Sequence, residues 1–426
     1  MGLWRKLALL LVVLPLLASV WPAAGLTPTG HYEARLGALT SAESFSLSLW
    51  TVRVIGGKVW QAIGDPPGRE LSADEQKRIF DEFFATADEA NQLEGEINDL
   101  ANKGVTSADG GMAGLEQKLK ALRQTREQQV ALVEHTIEDQ VEAILKHDDI
   151  SLFQTGSVFL PPVFSKLVDL PHVLVVSYRD HIEMRTQVAI RRTITVQQTG
   201  VLEDTVDRDL NVSSLVVPIG GYSTYPTMIA GSAPLDFVLG AVTHEWCHIF
   251  LMFRPLGESY GKSSDVAAMN ETACSIFGDD AAALVRETYY GAEKTPRPWQ
   301  TPPTPAPVPG EPPKREEPQG FNANRELRKI YLAAEERLKV KDITGAEEVM
   351  EEGRRRLADN GFYLRKLNQA FFAFYGSYAE GPDSIRPDPI GDDLRALRRR
   401  SPTLRDFMLT LSKMTSYNDL KRALGK

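Results

Sequence analysis

Apolar residues recur at helical spacing along most of this chain. Between residues 112 and 147, Leu115, Leu119, Leu122, Val130, Val133, Ile137, Val141 and Ile144 fall mostly three or four positions apart, which marks one face of a long helix. A second long helix is expected from about Ser72 to Lys103. It opens with Ser72 and, three residues on, Glu75, the pattern of a capping box, and Gly104 ends it. With the turn at Asp109-Gly110-Gly111 the pair reads as an αα-hairpin over residues 72–148, a candidate arm for a protein partner. The apolar run from Phe45 to Trp60 reads as a core or docking helix, with a membrane-surface segment as the alternative.

The pattern changes after residue 170. His172–Tyr178, Gln187–Val196, Ser213–Val217 and Tyr222–Ile229 are strand-like and predict a small sheet. Helices at about Leu235–Phe253 and Ser264–Tyr290 follow, joined by a loop at Arg254–Lys262. Ten prolines between Pro296 and Pro318 make residues 292–322 a linker. Beyond it the helical period returns at Glu326–Lys339 and Thr344–Asn360, then in an aromatic stretch from Tyr363 to Tyr378, and finally from about Ser401 to Leu424. The fold class expected is α+β and predominantly α-helical. Its regions are 1–25, 26–150, 151–291, 292–322 and 323–426, the last expected to complete the domain before the linker.

Composition changes the picture in three places. With 426 residues, 42% of them apolar and 25% charged, the chain is globular and large enough for a sizeable core, and a net charge of −9 gives no footing for nucleic acid. Arg5 and Lys6 precede an apolar run through residues 7–24 that ends in Ala23-Ala24-Gly25. This reads as an export signal or an uncleaved membrane anchor, with the rest of the chain extracytoplasmic. Only two cysteines occur, Cys247 and Cys274, so no disulfide scaffold exists. Cys247 points about 60° away from His244 on a helical wheel. Both are expected to be small buried residues, joined between neighbouring helices if the compartment oxidises.

The candidate chemistry lies in His244-Glu245-Trp246-Cys247-His248. Residues four apart on a helix share a face, so both imidazoles converge on one metal ion while Glu245 stands beside them to handle a proton. A catalytic zinc takes three protein ligands and keeps one position for water. The histidines of the chain are His31, His135, His147, His172, His181, His244 and His248, so no histidine follows the motif. The metzincin pattern needs one at position 254, which is Arg254. A glutamate from the next helix is therefore the expected third ligand, Glu271 ahead of the loop residue Glu258.

At this point the chain resembles the gluzincin zinc peptidases, the clan of thermolysin and the zinc aminopeptidases. The shared residues are His244-Glu245-x-x-His248 followed, after a loop, by Asn270-Glu271. Leu367-Asn368-Gln369-Ala370 with Tyr378 is similar to a C-terminal segment of bacterial proteins described as aminopeptidases. The resemblance spans about residues 213–290 and, more weakly, 362–380. It implies a zincin-like core, Zn2+ held by His244, His248 and Glu271, Glu245 as general base, a peptide substrate, and a tyrosine to steady the oxyanion. Tyr378 is the leading candidate for that tyrosine, with Tyr375 and Tyr260 behind it. It also implies a substrate strand laid along the edge at Tyr222–Ile229. The chain departs from thermolysin-like enzymes at Ser275, where they carry an aspartate, with Asp279 a turn further on. The competing reading is a non-catalytic cell-envelope scaffold with a structural or vestigial zinc site.

Overall fold

The computed structural model describes residues 28–63, 67–68, 70–102, 110–155, 158–294, 297, 299, 321–376 and 389–426. Those residues are mostly helical, with short strands in three small sheets. The N-terminal part holds α1 (Pro28–Thr40), α2 (Leu47–Ile63), α3 (Ala73–Asn102) and α4 (Gly110–His147). The hairpin is present as α3 packed on α4. The expected capping box starts it, with Ser72 N–H donating to Glu75 Oε2 and Glu75 N–H donating to Ser72 Oγ. The apolar run at Phe45–Trp60 supplies α2, whose Thr51, Ile55 and Lys58 are buried while Leu49 and Val52 are exposed.

Next come β1 (Phe153–Thr155), β2 (Val158–Leu160), β3 (Ser165–Val168), β4 (His172–Tyr178), β5 (Met184–Ile190), α5 (Val196–Leu210), β6 (Val212–Val217), β7 (Gly221–Tyr222) and β8 (Thr227–Ala230). The single sheet expected from the sequence is instead three. They are a β1–β2 hairpin, a mixed sheet in the order β3-β8-β7, and an antiparallel sheet in the order β5-β4-β6. Along β4, Val173 and Val175 face Leu327, Met350 and Phe371 of the chain beyond residue 321, while Leu174 and Val176 face α5 and α1. That alternation buries the sheet on both sides. Two expected boundaries move. The run Gln187–Val196 ends as a strand at Ile190, because Thr195 and Gln198 form a capping box that starts α5. The run Tyr222–Ile229 is two strands, since Thr224–Pro226 turn the chain and proline has no N–H to give a ladder.

The central pair is α6 (Leu235–Met252) and α8 (Ser264–Tyr289), joined through the short α7 (Pro255–Glu258). These helices hold the largest core. Trp246 is its hub, buried and stacked against Phe159, Phe250 and Phe277, with its Nε1–H donating to Pro161 O at 3.0 Å. The chain closes with α9 (Ala323–Lys339), α10 (Ile343–Asp359), α11 (Gln369–Tyr375), α12 (Pro389–Arg400), α13 (Leu404–Leu411) and α14 (Tyr417–Leu424). Gly361, at φ 86°, follows α10 in the left-handed region that ends many helices. The aromatic helix is shorter than its pattern suggests, because the Asn368 side chain accepts from Phe371 N–H and starts α11 there. The last expected helix is split in two, because Thr403 caps α13 and the Ser416–Asp419 capping box restarts the chain as α14.

The free edge of β3 is closed by side chains from α4. Glu138 accepts from Ser165 N–H at 2.6 Å and Glu134 accepts from Leu167 N–H at 2.9 Å. Lys58 from α2 reaches both carboxylates, at 2.9 Å and 2.7 Å, and all three side chains are buried. Burial pushes the Glu138 carboxyl up to about 7 against the pull of Lys58. The sign of the pH effect follows. A raised folded-state pKa contributes stability that is full below the ordinary value of 4.5 and lost as pH rises through about 7. Glu138→Gln should therefore flatten the pH dependence of the urea midpoint between those values. A variant whose profile superposes on the wild type would show that Glu138 does not titrate there.

Candidate metal centre

Helix α6 places His244 and His248 one turn apart, and the antiparallel α8 brings Glu271 opposite them. His244 Nε2 and His248 Nε2 lie 3.1 Å apart, and Glu271 Oε2 lies 3.6 Å and 3.5 Å from them. Donors bound to zinc at 2.0–2.1 Å in tetrahedral geometry stand about 3.3 Å from one another, so this triangle fits one such ion. Among the described residues it is the one group of three or more His, Cys, Asp or Glu able to do so. Glu258, the alternative ligand, is exposed at the end of α7 and lies outside the cluster.

Neighbouring side chains orient the donors. His248 Nδ1 stands 2.7 Å from Asn270 Oδ1. An Nδ1–H donated there leaves the Nε2 lone pair for a metal. Tyr260 Oη donates to Glu271 Oε1 at 2.9 Å, which leaves Oε2 facing the imidazoles. Burial penalises both charges of the pair, yet Glu271 holds His248 up at about 9. The imidazoles in turn keep Glu271 well below the usual carboxylate range. Burial and the Glu271 carboxylate push the Tyr260 hydroxyl well above its ordinary value, so it remains a donor.

Glu245 lies on the same helix but outside the donor triangle. Its Oε2 accepts from Ser223 Oγ, and its Oε1 lies against Gly221, where a Cβ would overlap it. The edge strand β7 and the residue that follows it thus deliver a bare backbone and a hydroxyl to one carboxylate. Tyr222, between them, has its hydroxyl raised by burial and by Glu245.

These groups line a cleft of about 1300 Å³. The ligand side chains are only 12–17% exposed, recessed but open to it. One wall is apolar and aromatic, from Val173, Ile219, Tyr222, Phe374 and Tyr375. Helices α11 and α12 contribute Tyr375, Asp392 and Arg395, so the chain beyond the linker completes the cleft. Tyr375 packs on Phe371 and Phe374 in that wall. Tyr378, the leading oxyanion candidate, lies outside the described residues. Ser275 and Asp279 also line the cleft. Sequence reasoning missed Ser223 and Gly221, whose roles depend on how β7 lies beside α6.

Elemental analysis of the purified chain should find about one zinc per molecule, lost in His244→Ala and Glu271→Ala and kept in Glu258→Ala. Zinc retained by Glu271→Ala would remove that residue from the ligand set. No family model, curated protein or solved structure matches this chain.

Proposed function

We propose that this chain is an exported, zinc-dependent peptidase of gluzincin type, with His244, His248 and Glu271 as zinc ligands and Glu245 as general base. One observation carries the reading. Two imidazoles and a carboxylate converge at zinc-sized spacing beside a second carboxylate that belongs to neither the triangle nor a salt bridge with it. A structural zinc site has four protein ligands and needs no such carboxylate.

A zinc ion held by these residues would lower the pKa of a water towards 7 and polarise a scissile carbonyl. The remaining work falls to the chain. Ser223 occupies Glu245 Oε2, so Oε1 is the atom free to take the proton of the attacking water and pass it to the leaving amine nitrogen. Tyr260 Oη, already beside Glu271, is the described hydroxyl best placed to steady the developing oxyanion. The edge of β7 offers main-chain hydrogen bonds to an extended peptide, and the apolar wall accepts its side chains.

Two further features support the extracytoplasmic assignment. Cys247 and Cys274 are disulfide-bonded, a state that persists in oxidising compartments. The apolar segment at residues 7–24, after Arg5 and Lys6 and ending in Ala23-Ala24-Gly25, has the sequence pattern of an export signal.

Glu245→Gln should keep zinc but lower peptide hydrolysis by about 10²–10⁴-fold, measured as kcat on a quenched fluorescent peptide library. Hydrolysis surviving at wild-type rate would sink the role given to Glu245. Gly221→Ala should likewise lose kcat with zinc retained, because the new methyl displaces the carboxylate.

A further inference from the structure

All three metal donors come from two helices. His244 and His248 share α6, so helical geometry fixes their spacing. Glu271 rides on α8, and its position against the imidazoles depends on how α8 is set against α6. A slide or rotation of one helix by a fraction of an ångström opens the triangle.

Two contacts oppose that movement. At one level the helices touch through glycine, with Gly278 against Gly240 and His244, and Thr243 Oγ1 donating to Gly278 O at 3.1 Å. At the level of the ligands the joint is covalent. Cys247, next to His248, is bonded to Cys274, three residues after Glu271, with their Cα atoms 5.5 Å apart. Both cysteines are fully buried, so the bond lies inside the core rather than at a labile surface.

We propose that the Cys247–Cys274 disulfide sets the metal affinity of the site: closing it fixes Glu271 against His244 and His248, and the oxidised protein takes up zinc more tightly than the dithiol. This rests on the zinc reading given above. Pre-organised ligands lose less freedom on binding than ligands that must be assembled. A bond that acted only on the unfolded chain would raise stability and leave the affinity of the folded site unchanged. Coupling is reciprocal, so zinc must protect the disulfide from reduction by the same factor.

The test compares zinc affinity, by chelator competition, in the oxidised full chain and in the Cys247→Ala/Cys274→Ala variant, with circular dichroism to establish that both are folded. Affinity should fall by about 10- to 100-fold, the range for groups that orient ligands without binding the metal. Equal affinity in two folded proteins overturns the proposal. Should the variant not fold, the wild type in glutathione redox buffers answers the same question. There, two glutathione thiols become one glutathione disulfide as Cys247–Cys274 opens to two thiols. Saturating zinc should raise the reducing strength needed for half-opening by the same factor. No change, or easier opening because the freed thiols capture the ion, overturns it. A wild type that binds no zinc in either redox state removes the zinc reading itself, whereas equal binding in both removes only the coupling.

Discussion

The close antiparallel crossing of α6 and α8 is the constraint on which the rest depends. It requires a small residue where the backbones meet, and Gly278 supplies it, since a Cβ there would stand 3.1 Å from Gly240 O and 3.3 Å from His244. It requires an apolar face on each helix, which Val238, Val242, Trp246 and Phe250 on one side and Met269, Ala273 and Phe277 on the other provide. The face that carries His244 and His248 is turned away from Trp246 and towards the cleft. One short segment therefore serves two masters. Its aromatic residue anchors the core while its imidazoles stay 14–17% exposed, and neither role is possible without the 3.6-residue period.

The remaining elements are arranged around that pair by the need to satisfy backbone groups. The β3-β8-β7 sheet has two edges. One is closed by Glu134 and Glu138 of α4, which accept from β3 amides and share Lys58, with Lys166 as a second partner of Glu134. The other, β7, faces the cleft and Glu245. Covering one edge with buried carboxylates and leaving the other open beside the candidate base gives the sheet a polarity that chain order alone would not.

Local signals were readable and relational ones were not. The motif helix and the box at Ser72–Glu75 were legible because each depends on residues within a few turns of one another, and Glu271 because a third donor was sought in the helix that follows. Thr195 and Gln198 carry the same capping signal for α5, and it was masked by the β-branched run leading into it. The pairing of Cys247 with Cys274 follows from adjacent helices and was open to expectation. Ser223 meeting Glu245, 22 residues away, follows from the placement of an edge strand and has no sequence signature. The strand at Tyr222–Ile229 was read too long for a related reason: alternation reports which residues face a core, not whether the chain turns between them.

The electrostatics of the site bear on when it forms. A carboxylate as buried as Glu271 is costly without a partner. His248 supplies that partner, since Glu271 holds its imidazole up at about 9 against the effect of burial, and Asn270 stands beside its other nitrogen. On the zinc reading proposed above, a dication would replace a proton rather than fill a bare anionic hole. This separates the site from small zinc domains, in which binding and folding are one event because the ligands repel or fray without the ion. Here the helices are already joined by Trp246 packing, by the glycine contact and by a disulfide. A metal ion taken up there would therefore meet donors whose positions the fold has already set.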